Sequence, residues 1–262
     1  MDDRTATEGQ GERITRKHEF DDGAFETVKF ARRRAGYYEG LNEMIGLGYS
    51  TADYLHNFPA FVGQMTLWRS LTLYELYKKT IGLAGHIGDV GIYMGASTLL
   101  FGKLVEIYEP ESLTLVHGFD WFKGSFGQAE DRLLLPSQTY FEDEARVRAL
   151  VRLQNLDHVV KIHKVDVVTE IDDFFQRNPT IRFKLVFLDS GTYDVTSSAI
   201  RAFWPRITPG GILVLDQFNN EVAPGETRAV TELLPDLKIE TLPNSWMPSA
   251  FIQKPFAGGA TA

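Results

Sequence analysis

From residue 86 onward, short apolar runs alternate with longer amphipathic segments, and this alternation constrains the fold more than any other feature. The runs cover residues 86–92, 113–119, 159–165, 183–188 and 211–215. Helices are predicted from about residue 96, over 138–153, over 170–176, up to 204 and over 226–234. Because strands that alternate with helices build a parallel sheet covered on both faces, we predict a Rossmann-like α/β domain.

The last two apolar runs differ from the others. Residues 237–242 and 250–253 are separated by a stretch that is too short for a crossover helix. We therefore expect an antiparallel C-terminal hairpin at one end of a mostly parallel sheet.

The N-terminal part has a different pattern. Residues 17–84 are mostly helical in pattern and rich in aromatic residues, most strongly over 58–81, which predicts a helical extension or lid. Residues 35–50 are rich in Gly and Tyr and too broken for one helix, which leaves a packed surface loop or a mobile lid. We expect a disordered leader over 1–16, the ligand-binding domain over 85–256, and a frayed tail over 257–262.

Composition excludes several classes of protein. The 27 basic and 35 acidic residues give a net charge of −8, which argues against nucleic acid or an anionic membrane as partner. The chain has no cysteine, so disulfides, cysteine-ligated metals and cysteine nucleophiles are absent. It has no apolar stretch of membrane-spanning length and no signal-peptide pattern. We expect a cytoplasmic protein with a small-molecule substrate, and its aromatic N-terminal region suits a homo-oligomer.

A glycine turn follows the first apolar run. Gly91 and Gly95 stand four residues apart at a strand-to-helix turn, where a ligand can approach the backbone closely. A tight turn that needs glycine for its own geometry is the alternative. The candidate cofactor-binding positions here are Asp89, Gly91, Tyr93, Gly95, Ala96 and Ser97. Tyr93 takes the second glycine position of the dinucleotide motif, so the segment is not that motif.

Acidic residues follow the second and third runs. Asp120, next to Trp121, is placed to accept hydrogen bonds from the two ribose hydroxyls of a nucleoside. Asp166 is placed to accept from an adenine amino group, with Val167 against the ring. A helix or turn cap is the alternative at both positions.

Two more acids follow the fourth and fifth runs. Asp189 and Asp216 leave apolar strands at the same predicted edge of the sheet, and Gln217 adds an amide oxygen. Asp189 is also a candidate cofactor-binding residue. Such a donor set suits a hard cation such as Mg²⁺ or Ca²⁺, which would also remove the repulsion between the carboxylates. One carboxylate as a cap and the other in a salt bridge is the alternative.

Four strings carry a family resemblance: DVGIYMGASTLL, GFDWFKG, FLDSGTYDVTSSAI and PGGILVLDQF. Residues 67–254 resemble class I S-adenosylmethionine-dependent methyltransferases, and within them the macrocin O-methyltransferase family. The resemblance implies S-adenosylmethionine as cofactor, bound by the glycine turn and Asp120. It also implies a deoxysugar hydroxyl as acceptor in antibiotic biosynthesis, on a glycoside or on a nucleotide-linked sugar such as TDP-rhamnose.

The chain departs from that family at two places. The family's DGD-x-Y and DDY patterns read DSGTY and DQF here, so the second acid of each pair is missing. What remains, Asp189 with Asp216 and Gln217, resembles the metal set of catechol-type O-methyltransferases. A metal-assisted transfer is therefore still expected.

The candidates for proton acceptor are Asp189 first, then Asp194 and His117. For Asp194, a role as N-cap of the helix over 195–204 is the alternative. A dehydrogenase would need the missing glycine, and the Tyr74–Lys78 spacing is a chance match in the wrong place. A non-catalytic methyltransferase-like binding protein stays open because family acids are missing at Gly191 and Gln217.

Overall fold

A computed structural model describes residues 36–124, 140–221, 223–243 and 247–256. The chain divides into two compact units, Met1–Gln64 and Met65–Ala262. The predicted leader and tail lie outside the described residues. Within them, no helix is both long and apolar enough to cross a membrane.

The described part of the first unit, from residue 36, contains three short helices, α1 (Tyr37–Ile45), α2 (Thr51–His56) and α3 (Phe58–Phe61). Residues 35–50 thus include a nine-residue helix, α1, none of whose residues is buried. The expectation of a packed loop there was wrong, and the lid role stays a prediction. Helix α2 begins with a capping box in which the Ser50 side chain accepts from the Asp53 N–H and Asp53 accepts from Ser50.

The strongest predicted helix, 58–81, is interrupted. Helix α3 ends at Phe61, its C-cap Val62 has extended backbone angles, and α4 (Gln64–Lys78) begins two residues after Val62. Gly63 occupies the break, where an added Cβ would lie 2.0 Å from the Tyr37 hydroxyl. The period of three and four therefore predicted the helical content correctly but not this break.

The second unit contains the sheet. Its strands are β1 (His86–Val90), β2 (Val116–Asp120), β3 (Val160–Lys164), β4 (Phe183–Leu188), β5 (Ile207–Leu215), β6 (Ile239–Glu240) and β7 (Ala250–Gln253). After α4, its helices are α5 (Ala96–Tyr108), α6 (Glu144–Leu153), α7 (Ile171–Arg177), α8 (Tyr193–Phe203) and α9 (Pro224–Leu233), with a 3₁₀ turn at Trp204–Arg206.

The strand order is β3-β2-β1-β4-β5-β7-β6. Strands β1 to β5 pair in parallel, β7 pairs antiparallel to β5, and β6 antiparallel to β7. The predicted parallel sheet with an antiparallel C-terminal hairpin is confirmed. Every residue of β4 is buried, as expected for a central strand with both faces covered.

The carboxyl ends of neighbouring strands meet at one edge of the sheet. The Gly91 N–H donates to the Phe119 carbonyl at 2.9 Å, and the Asp189 N–H donates to the Val90 carbonyl at 2.9 Å. The Asp216 N–H in turn donates to the Leu188 carbonyl at 3.1 Å. These bonds place the residues that follow β1, β4 and β5 side by side, next to the end of β2.

Candidate functional site

The glycine turn connects β1 to α5. Gly91, Tyr93 and Gly95 all have positive φ angles, and Gly95 is the N-cap of α5. A Cβ on Gly91 would lie 2.2 Å from the Asp189 carbonyl oxygen. The need for glycine at 91 therefore comes from close packing against the chain that follows β4, whatever ligand the turn holds.

Asp89 lies in β1, two residues before Gly91, and is fully buried. Its Oδ2 accepts hydrogen bonds from the Ser97 and Thr98 hydroxyls at 2.8 and 2.5 Å, which ties β1 to the first turn of α5. Its Oδ1 is buried without a partner among the described residues. Burial raises the pKa of Asp89 to about 7.

Asp120 ends β2 and faces the glycine turn. Its Oδ1 accepts from the Phe122 N–H at 2.7 Å and its Oδ2 from the Tyr93 N–H at 3.1 Å. Burial raises the pKa of Asp120 to about 6, against the effect of these bonds. Beside it, the Trp121 indole N–H donates to the Gly124 carbonyl at 2.7 Å. The structure thus places Asp120 against the turn, and its ribose role stays a prediction.

Asp166 occupies the turn between β3 and α7. Its Oδ1 accepts from the Val168 N–H at 2.9 Å, and its own N–H donates to Glu170 at 2.8 Å. Val167 is buried in the core. Asp166 thus bonds within its own turn, while the N-cap of α7 is Glu170, so the N-cap alternative was wrong. Contact with adenine stays a prediction.

The acids after β4 and β5 meet around a residue that the sequence reasoning missed. Arg69, on α4, pairs through Nη2 with Asp189 Oδ2 at 2.6 Å and through Nη1 with Asp216 Oδ1. The Asp216 side chain is 2% exposed and that of Asp189 is 28% exposed. Burial opposes the charge on Arg69, but the two carboxylates outweigh it and hold its pKa above the ordinary value.

The spacing of the buried residues along α4 does point to Arg69. Leu73, Leu76 and Tyr77, which are buried, follow Arg69 by four, seven and eight residues. Residues at that spacing share one helix face, so Arg69 lies on the buried face of α4. A single cation on an otherwise apolar face needs an anionic partner, which the sequence does not locate.

Gln217 and Glu226 complete this part of the site. The Gln217 Nε2 donates to Asp216 Oδ2 at 3.1 Å, and its backbone N–H donates to Glu226 Oε1 at 2.8 Å. Glu226, in the first turn of α9, is fully buried, and burial followed by the charge of Asp216 raises its pKa well above the ordinary value. The sequence reasoning did not single out Glu226.

The three predicted metal ligands come together, but as partners of nitrogen donors. Both oxygens of Asp216 accept from N–H groups, one from Arg69 and one from Gln217. The Gln217 Oε1 is turned toward Gly191, where an added Cβ would lie 2.4 Å from it. Among the described residues, no three His, Asp or Glu side chains are placed to share a metal ion. This donor set does not fit a divalent cation.

The two other candidate bases lie elsewhere. His117 is in the middle of β2, buried, with Nδ1 2.9 Å from Nε2 of His163, so the structure does not bring it to the edge where the acids meet. Burial lowers the pKa of His117 to about 3. Asp194 lies in the first turn of α8, whose N-cap is Thr192, so the expected N-cap role was wrong. Its role as a base stays a prediction.

The parallel sheet, the antiparallel hairpin and the acid-lined carboxyl edge are those of a class I methyltransferase fold. Residues 89–218 match a family model described as a methyltransferase domain.

Solved structures support the same fold. CalS11, described as a calicheamicin methyltransferase, matches with a TM-score of 0.74 and 21% identity over 92% of this chain and 98% of that chain. Its apo form, described as a TDP-rhamnose 3'-O-methyltransferase, matches with a TM-score of 0.66 and 21% identity over 89% and 97%. The O-methyltransferase NovP matches with a TM-score of 0.61 and 18% identity over 72% and 80%. No curated protein sequence matches the chain significantly.

Proposed function

We propose that this protein is an S-adenosylmethionine-dependent O-methyltransferase that acts on a hydroxyl of a deoxysugar. One observation carries the proposal: the glycine turn and the acid pair are contiguous. Gly91 packs against the Asp189 carbonyl, and the Asp189 side chain reaches Arg69 and, through it, Asp216. A turn suited to a cofactor thus adjoins a carboxylate suited to receive a proton.

The residues around the turn would hold the cofactor. Asp120 would bond the ribose, while Asp166, Val167 and Trp121 would border the adenine. The buried, unpartnered Oδ1 of Asp89 leaves an acceptor beneath the turn for an N–H or ammonium donor. When bound, S-adenosylmethionine supplies an electrophilic methyl group on a sulfonium sulfur.

Asp189 would receive the proton. An alcohol is a weak nucleophile near neutral pH, so its proton must leave as the oxygen attacks. The cofactor would supply the methyl carbon by breaking its bond to sulfur, which would leave a neutral thioether. Asp189 would take the proton of the acceptor hydroxyl as its oxygen bonds that carbon. Asp189 suits this role better than Asp216 because 28% of its side chain is exposed, against 2% for Asp216. Asp194 is the next residue to test.

The sugar acceptor is supported by resemblance. The strings around Asp189 and Asp216 resemble the macrocin O-methyltransferase family, and CalS11, whose fold is similar, is described as a TDP-rhamnose 3'-O-methyltransferase of calicheamicin biosynthesis. We therefore propose a nucleotide-linked deoxysugar such as TDP-rhamnose, or a deoxysugar glycoside, in natural-product biosynthesis.

The proposed sugar methylation is tested by incubating the protein with S-adenosylmethionine and a panel of deoxysugar nucleotides and glycosides. The products are identified by mass spectrometry and NMR. We expect one methylated sugar and one equivalent of S-adenosylhomocysteine. Asp189→Asn should lower kcat at least about 100-fold, the scale of general base catalysis, while Asp173→Asn on the exposed face of α7 should not. A binding protein without activity would instead show a thermal shift with S-adenosylhomocysteine and no product. A shift with NAD alone would contradict the proposal.

A further inference from the structure

We propose that Arg69 is the resident cation of this site, positioning Asp189 and Asp216 where a metal-assisted enzyme would use a divalent ion. The binding part of this inference stands on the contacts alone, and its catalytic part rests on the proposed function. Arg69 is a positioning residue in it, because it acts on the acceptor hydroxyl through Asp189.

The negative charges of Asp189 and Asp216 need a compensating cation. Two carboxylates held side by side repel each other, and burial of Asp216 makes an uncompensated charge there costly. One guanidinium bridges them, with a different Nη on each carboxylate. Arginine keeps its charge under all ordinary conditions, so this compensation is permanent and needs no ion from solution.

The planar shape of the Arg69 guanidinium suits this position between two carboxylates. A guanidinium presents several N–H donors in a rigid plane, so its two ends can hold two carboxylates at a set separation. The Arg69 Cζ also lies 5.3 Å from the centre of the Phe187 ring, on β4, which favours a cation at that position. A lysine at 69 would offer one compact charge and lose the fork.

The Asp216 oxygens that a metal ion would need as ligands already accept from protein N–H groups. Arg69 donates to one Asp216 oxygen and Gln217 donates to the other. Gln217 directs an N–H toward the acids, and its Oε1 faces Gly191, buried without a hydrogen-bond partner among the described residues. A cation at this place would have to displace the guanidinium and reverse the amide, which is the opposite of a prepared metal site.

Binding of Mn²⁺ to the purified protein, measured by electron paramagnetic resonance and calorimetry, tests the inference without any turnover. Wild type should bind no Mn²⁺ at micromolar concentration. Arg69→Ala should gain one Mn²⁺ site. The double variant with Arg69→Ala and Asp216→Asn should lack that site. Arg146→Ala, an exposed arginine on α6, is the matched control and should gain none. Stoichiometric Mn²⁺ binding by wild type that Asp216→Asn abolishes would overturn the inference, and this arm needs no arginine variant to fold.

Turnover gives a second readout. Wild type should keep its rate in EDTA, whereas Arg69→Ala should lose about 100-fold in kcat, the cost of misplacing a catalytic group, with a much smaller change in KM. Added guanidinium ion should restore part of that rate, and Arg69→Lys should retain more activity than Arg69→Ala. Full activity of Arg69→Ala in EDTA, or no rescue in a folded variant, would contradict a positioning role.

The two proposals fail separately. S-adenosylhomocysteine should still bind Arg69→Ala, because Arg69 is hydrogen-bonded to Asp189 and Asp216 and not to the glycine turn. Absence of that binding in wild type would reject the proposed function, while the Mn²⁺ result would still decide the role of Arg69.

Discussion

The backbone N–H of Tyr93 donates a hydrogen bond of 3.1 Å to the Asp120 carboxylate, so the residue that ends β2 holds the turn that follows β1. The same carboxylate accepts from the Phe122 N–H in its own loop. Asp120 therefore connects two segments that the proposed cofactor would touch together, and its removal should affect both.

Asp120→Ala should weaken S-adenosylhomocysteine binding by about 2–3 kcal/mol, the range for hydrogen bonds to a charged group. Calorimetry on the folded variant measures this. Asp173→Ala, on the exposed face of α7, is the control and should bind as wild type does. Unchanged affinity in Asp120→Ala would remove this residue from the cofactor site.

Gly91→Ala should destabilise the fold more than Gly82→Ala does. Both glycines have φ near +85°, at which an L-residue costs about 1–2 kcal/mol. A Cβ at 82 meets nothing within 4 Å, whereas one at 91 lies 2.2 Å from the Asp189 carbonyl oxygen. Urea unfolding should show the expected difference of at least about 1 kcal/mol, the usual scale of overpacking. Equal losses would show that the turn can move away from β4.

Glu109→Gln should cost about 3–5 kcal/mol, because it leaves a buried lysine unpaired. The Lys184 side chain is fully buried, its Nζ lies 2.7 Å from Glu109 Oε2, and the Tyr77 hydroxyl donates to the same oxygen. Glu240→Gln breaks the exposed pair with Lys238 and should cost less than about 1 kcal/mol. Comparable losses in the two variants would mean that water reaches Lys184.

The buried histidine pair should make stability depend on pH. Burial lowers the pKa of His117 to about 3 and that of His163 to about 4, whereas in the unfolded chain both lie near 6.5. Between about pH 6.5 and 4 the unfolded chain binds more protons, so these residues lower stability as pH falls.

His163→Gln should remove the contribution of one histidine to the pH dependence of the unfolding free energy. That contribution is up to about 1.4 kcal/mol per pH unit. Unfolding curves from pH 6 to 4.5 measure it as the difference from wild type, which cancels the opposite contribution of carboxyls such as Asp89. A wild-type slope in His163→Gln would show that the pair is charged in the folded state.

Secondary structure was largely predictable because it depends on neighbouring residues. The apolar run over 183–188 coincides with β4, and the short link before residue 250 correctly predicted an antiparallel strand. The pattern did not locate the break at Gly63, where an added Cβ would lie 2.0 Å from the hydroxyl of Tyr37, 26 residues earlier. Local pattern carries no information about such a contact.

For the site, the sequence by itself determined which carboxylates stand at the carboxyl edge, since Asp120, Asp189 and Asp216 each end or follow an apolar run in a parallel sheet. Only the tertiary structure decided what balances their charge. Arg69 lies 120 residues before Asp189 and 147 before Asp216, on a helix that precedes the first strand. Carboxylates that meet at one edge need a cation between them, because like charges repel however far apart they lie in the sequence. Whether that cation is a metal ion or a guanidinium depends on which side chain the packing of α4 delivers, and that is a property of the folded molecule.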